Sequence, residues 1–150
     1  MTVERRYTAL IERLKHAGLR PTRQRLALAK LLFDPAAAAL DPSARDRHIT
    51  AEQLHDEAMS AGQPVSLATV YNTLHQFTEV GLLREVVVEP GRSYFDTNVS
   101  DHHHFFFEGD GRLLDIPGEQ IRLADLPPPP PGSAIRRVDV IVRLSESESD

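Results

Sequence analysis

Apolar residues recur at helical spacing through the first half of the chain and give way to strand-like runs after it. Tyr7, Leu10, Ile11, Leu14 and Ala17 lie three and four apart, which predicts a helix ended by Gly18. Thr22 can cap a second helix through RQRLALAKLLF, with Leu26, Ala29, Leu32 and Phe33 facing inward. The segment DPAAAALDPSARDRH is polar and punctuated by proline, predicting a loop with one helical turn in its alanines. Thr50 and Gln53 form a capping box at the start of TAEQLHDEAMSAG, and Gly62 closes that third helix. A fourth helix is expected in SLATVYNTLHQFTEVG, starting at Ser66 as its N-cap. Leu67, Val70, Leu74 and Phe77 make its inward stripe, and Gly81 stops it.

Two β-rich runs, LLREVVV and SYFD, flank the turn EPGR and read as a hairpin. Helix, helix, short turn, helix, hairpin is the order of a winged helix-turn-helix, whose second motif helix enters the major groove by its N-terminal residues. After Asp96 the character changes. HHHFFFEG and RLLDI read as strands around Gly109-Asp110-Gly111, IRLADL as a short helix, PPPPP as a stiff extended connector and AIRRVDVIVRL as a last strand. The runs HHHFFFEG and VDVIVRL carry more apolar surface than a domain of roughly 50 residues can bury alone, which predicts a homodimer. A two-fold protein also matches an operator with two half-sites. SESESD, residues 145–150, is expected to be a disordered acidic tail.

Composition narrows the function classes. No apolar run approaches the roughly 20 residues needed to span a bilayer, and the charged, amphipathic N-terminal segment is unlike a signal peptide. A cytoplasmic protein with no membrane partner is expected. The chain has no cysteine, which excludes disulfides, cysteine nucleophiles and a structural cysteine zinc site. Its net charge of -5 is unevenly spread. Residues 1–30 hold eight basic residues against two acidic ones, whereas six basic and eleven acidic residues lie from Gly91 onward. The basic head suggests an anionic partner such as nucleic acid. Ser66, Thr69, Tyr71, Asn72, Thr73 and Gln76 are expected on the outer side of the fourth helix, where they can reach bases and phosphates. Arg20, Arg23 and Arg25 are placed to hold the phosphate backbone of double-stranded DNA.

LRPTRQR, HITAEQLHDEA, SLATVYNTLHQFTEVGLL and YFDTNVSDHHHFFF resemble the Fur family of metal-responsive repressors, over about Leu14 to Leu144. SLATVYNTLHQFTE with TNVSDHHHFFFEG and no cysteine looks most like the haem-responsive iron-response regulator branch, Irr. The resemblance implies an α+β protein: an N-terminal winged helix-turn-helix DNA-binding domain, residues 1–96, and a C-terminal α/β dimerisation domain, residues 97–144. Phe107 and Asp110 stand where family members with structural zinc carry paired cysteines, so that site is not expected. A further family site needs His-x-Asp order, which Asp101 and His103 reverse, and Arg122 and Val138 replace its other ligands.

On a strand, His102 and His104 share one face and His103 takes the other. A pair at i and i+2 can chelate a metal, but two ligands alone are weak. The resemblance implies the rest. His48 before the third helix and Asp96 after the wing would join His102 and His104 in a nitrogen–oxygen site bridging the two domains, suited to zinc, manganese or ferrous iron. Haem asks for an axial ligand and an apolar wall. His102, His103 or His104 can supply the first and Phe105 to Phe107 the second, and the same residues equally describe a core strand beside a small-metal site. The Irr resemblance adds haem as regulatory ligand and a haem-delivery protein as partner. His16, His55 and His75 read as surface residues of the DNA-binding domain. The leading expectation is a dimeric regulator of iron and haem homeostasis. The alternatives are a Fur-like repressor using manganese or iron as corepressor without haem, a non-haem metal enzyme and a passive haem carrier.

Overall fold

The computed structural model describes residues 2–34, 47–89 and 91–146, and the alanine-rich turn expected after Asp34 lies outside them. The chain divides into two compact units, Met1–Val99 and Ser100–Asp150.

The first unit begins with α1 (Val3–His16) and α2 (Arg23–Phe33), capped by the Thr2 and Thr22 hydroxyls. Strand β1 (His48–Ile49) leads into α3 (Ala51–Ser60), where the Thr50–Gln53 capping box forms as expected. Helix α4 (Leu67–Glu79) follows its Ser66 cap, and the hairpin β2 (Arg84–Glu89) and β3 (Arg92–Asp96) completes the unit. The sheet order is β1-β3-β2, all antiparallel. Gly91 in the hairpin turn has φ +76°, a left-handed conformation that favours glycine.

Five assignments of inward and outward residues change. Helix α2 packs against α1, α3 and α4, so its buried surface exceeds one stripe, and Leu28 joins Leu26, Ala29 and Leu32 in the core. Phe33 is only half-buried: its ring lies 6.1 Å from that of Phe77, and the Arg13 guanidinium sits 4.1 Å over its centroid. On α4 the buried set is Val70, Thr73, Leu74 and Phe77. Leu67 stays exposed at the first helical position, and Thr73, expected outside, faces in. Tyr7 is likewise exposed rather than part of the α1 stripe. Arg47 ties the unit together through polar contacts. Its guanidinium donates to both Glu57 carboxylate oxygens at 3.1 and 2.6 Å and to the Leu31 carbonyl at 2.8 Å.

The second unit is a three-stranded sheet of order β5-β4-β6. Strand β4 (His102–Phe107) pairs antiparallel with β5 (Leu113–Pro117) and parallel with β6 (Ile141–Leu144). The last strand is therefore shorter than AIRRVDVIVRL predicts, because only its final third pairs with β4. IRLADL is not helical. A single 3-10 turn occupies Gly118–Gln120 instead, and Leu126 precedes the proline run, which disfavours helical backbone there. Gly118 lies against the hairpin start, and a Cβ at that position would meet the Asp101 carbonyl at 2.8 Å. Among the described residues no helix is long and apolar enough to cross a membrane.

Leu28 has no exposed surface, on a helix packed against three others. Leu28→Ala should lower unfolding free energy by about 2–5 kcal/mol, read by urea denaturation.

Candidate metal centre and nucleic-acid interface

The outer face of α4 is less open than its composition suggests. Ser66 Oγ accepts the Thr69 N–H at 3.1 Å and donates to Thr69 Oγ1 at 2.9 Å, so the two hydroxyls form one N-cap unit. Asn72 is exposed. Tyr71 is exposed along its ring, but its hydroxyl donates to Glu52 Oε1 at 2.6 Å, linking α4 to the first turn of α3. That hydrogen bond holds the Glu52 carboxyl below its ordinary range and raises the Tyr71 phenol above its own. Both shifts stabilise the fold, but they are lost at opposite ends of the pH range. Glu52 contributes stability above the usual glutamate value of about 4.3 and loses it as pH falls; Tyr71 contributes below about 10 and loses it as pH rises.

The three arginines differ. Arg20 and Arg23 are exposed beside the start of α2. Arg25 is occupied within the fold: Nε and Nη2 donate to Gln76 Oε1 at 3.3 and 3.1 Å, and Nη1 donates to the Arg20 carbonyl at 2.9 Å. It clamps α2 to α4, and Gln76 is thereby held back from the outer surface.

The histidine chemistry falls into two sets, one in each unit. In the first unit β1 places His48 opposite Asp96 of β3, and His48 Nε2 lies 3.1 Å from Asp96 Oδ2. Asp96 has no exposed surface, and its other carboxylate oxygen accepts the Asn98 N–H at 2.8 Å. In the second unit His102 and His104 share one face of β4, with ring centroids 4.5 Å apart. Both aim Nε2 at Asp115 Oδ1, at 3.4 and 3.3 Å. His102 Nδ1 lies 2.6 Å from the Ser100 carbonyl, which can only accept, so Nδ1 carries a proton. A neutral His102 then turns its Nε2 lone pair on a carboxylate. That arrangement is repulsive unless a cation or a second imidazole proton lies between them, and it is the donor geometry of a metal ligand. His103 points the other way: its Nδ1 accepts the Val140 N–H at 3.1 Å.

Asp115 is the residue that sequence reasoning missed, having been read only as part of a strand. The hairpin register held the signal, because His104 and Asp115 are direct cross-strand partners. The phenylalanines are engaged in the sheet. Phe106 is buried, and Arg112 stacks 4.2 Å from the centroid of Phe107.

Residues 16–124 match the pattern of the Ferric uptake regulator family. The chain belongs to that family. It is 32% identical over 109 residues to the Ferric uptake regulation protein of Yersinia pestis, covering 72% of this chain and 68% of the relative. It is 30% identical over 121 residues to the Peroxide-responsive repressor PerR of Staphylococcus aureus, covering 80% and 74% of the two chains. The ferric uptake regulator of Pseudomonas aeruginosa, solved with manganese, shares the fold with a TM-score of 0.65 at 24% identity, over 91% of this chain and 97% of that one. As a member of the ferric uptake regulator family the chain is a transcription regulator and not an enzyme, which removes the non-haem metal enzyme alternative.

Arg25 holds two helices together, whereas Arg23 only lines the surface. In urea denaturation without DNA, Arg25→Ala should cost about 1–2 kcal/mol and Arg23→Ala less than about 0.5 kcal/mol.

Proposed function

We propose that this ferric uptake regulator family member is a homodimeric DNA-binding regulator whose corepressor is a divalent ion held by His48, Asp96, His102 and His104, with Asp115 added. The observation that carries the proposal is the convergence of two imidazole Nε2 atoms on one carboxylate, with the Ser100 carbonyl fixing the tautomer of His102. The donor set of imidazole nitrogens and carboxylate oxygens, without sulfur, suits manganese, ferrous iron or zinc. The P. aeruginosa relative was solved with manganese. His48 and Asp96 belong to the first unit and His102, His104 and Asp115 to the second. Joint ligation would therefore supply a link between the two, and an ion that prefers one arrangement shifts the population toward it.

In this reading the first unit is a winged helix, with α4 as recognition helix and β2–β3 as the wing. Thr69, Tyr71 and Asn72 face the groove, Ser66 fixes the start of the helix, and Arg20 and Arg23 reach phosphates. Arg25 acts by holding α4 in place. The second unit is the dimerisation domain. Its outer strands are β5 and β6; Leu114 of β5 is exposed, as are Leu123, Leu126 and Ile135 between the two strands, apolar surface a partner copy would cover.

Haem is the finer reading that comes from the Irr resemblance, together with a haem-delivery protein. The side-chain geometry favours the small ion. His102 and His104 already face Asp115, and His103 has its Nδ1 turned to a backbone donor, so an axial bond from any of the three asks for rearrangement of these contacts. Such rearrangement is also what a release signal would require.

Manganese titrated calorimetrically into chelator-treated protein should bind, and Asp115→Ala or the pair His102→Ala, His104→Ala should weaken binding by at least about ten-fold. DNA retardation should follow manganese occupancy. Full retardation by wild-type protein in chelator would sink the corepressor reading. A Soret band shift on haem addition that is lost in His103→Ala, with matching release of DNA, would place haem ahead of the ion. Sedimentation at micromolar concentration should give twice the chain mass.

A further inference from the structure

Glu52 is exposed in the first turn of α3, on the helix before the recognition helix, and its one side-chain partner among the described hydrogen bonds is Tyr71. The contact joins two elements and ends on the tyrosine that stands on the outer face of α4 at its second turn. A carboxylate has only lone pairs to offer, so the 2.6 Å contact takes the single proton of the tyrosine hydroxyl. What remains on Tyr71 Oη is acceptor capacity alone.

Resting on the DNA-binding reading above, we propose that Glu52 is a specificity-determining positioning residue, which commits the Tyr71 proton and makes Tyr71 Oη an acceptor-only probe of the major groove. Such a probe has two matching partners on base edges, the adenine N6 amino group and the cytosine N4 amino group. Thymine O4 and guanine O6 and N7 are acceptors and face it unfavourably. The same logic keeps Tyr71 off the backbone. A phosphate oxygen is also an acceptor, and it would approach the negative charge of Glu52 as well. Tyr71 therefore reads a base where Arg20 and Arg23 hold phosphates.

The surroundings favour a fixed geometry. The Tyr71 ring lies 6.4 Å from that of His75, nearly parallel at 21°, and His75 meets Phe95 edge-on at 5.7 Å. His75 in turn sits 3.6 Å from Glu85 of β2. Tyr71 is thus steadied at its ring from α4 and the hairpin, and at its hydroxyl from α3. The cleft beside it, about 610 Å³ and lined by Thr50, Glu52, His75 and Arg92 among others, leaves the carboxylate room to follow the hydroxyl.

The test is selection of binding sites from a randomised duplex library by the full-length protein with manganese present. Wild-type protein should show, at one position in each half-site, a preference of about ten-fold for the base that offers an amino group on the strand read. Glu52→Ala frees the hydroxyl proton, so thymine or guanine should become accepted at that position while the other positions keep their preferences. Glu52→Gln retains an acceptor carbonyl and should keep the wild-type preference. Tyr71→Phe should lose the preference outright. A role for Glu52 only in holding the helices together would instead lower affinity for all sequences alike. Identical base preferences in wild type and Glu52→Ala overturn the proposal, as does an unchanged preference in Tyr71→Phe, which serves if Glu52→Ala folds poorly. If wild-type protein enriches no sequence at all, the DNA-binding reading itself falls, an outcome distinct from the failure of the Glu52 assignment.

Discussion

A carboxylate with no solvent contact is the constraint around which the first unit is arranged. Burying Asp96 unpaired would cost several kcal/mol, so its position demands partners on every open side. The sheet order β1-β3-β2 supplies them. Asp96 ends the central strand, with His48 of β1 on one flank and Arg84 of β2 on the other, each its direct cross-strand partner. The chain then turns so that Asn98 can donate its N–H to the same carboxylate. Strand β1 is only two residues long, and it sets down the one side chain, His48, that this carboxylate meets at Nε2. The short strand also leads straight into the Thr50 cap of α3, so the carboxylate, the strand and the start of that helix are placed together.

Polar clamps rather than apolar surface alone then position α4. Arg47 spans α2 and α3 through Leu31 and Glu57, Arg25 spans α2 and α4 through Gln76, and Glu52 spans α3 and α4 through Tyr71. Each is a charged group with a directional partner, and such hydrogen bonds fix angles that packing leaves loose. The apolar cluster of Leu14, Leu28, Leu54, Leu74 and Phe77 supplies the cohesion, and the clamps supply the orientation.

Much of this was legible in the chain because it is local. Helix starts were marked by Thr22, Thr50 and Ser66, whose hydroxyls need only neighbouring backbone to act. The opposite faces of His102 and His103 follow from strand geometry alone. What escaped was non-local. Leu28 is buried in a helix that packs against three others, and nothing in the periodicity of α2 announces so many neighbours. Thr73 goes inside for a similar reason, although its residue type suits the surface. Arg25 looked like a phosphate contact because its acceptor, Gln76, lies 51 positions away. Asp115 was recoverable by counting residue pairs back from the Gly109–Gly111 turn, but IRLADL was not. Its helical look is local, and the proline run after it decides against a helix.

The placement of β4 has a consequence for how the protein is made. HHHFFF is the middle strand of its sheet, and its two neighbours emerge at very different times during synthesis. Strand β5 follows within a few residues and can close a hairpin at once. Strand β6 is translated more than thirty residues later, after the proline run. Throughout that interval one edge of a strand carrying three phenylalanines has its backbone donors and acceptors open, the arrangement most prone to pairing with another nascent chain.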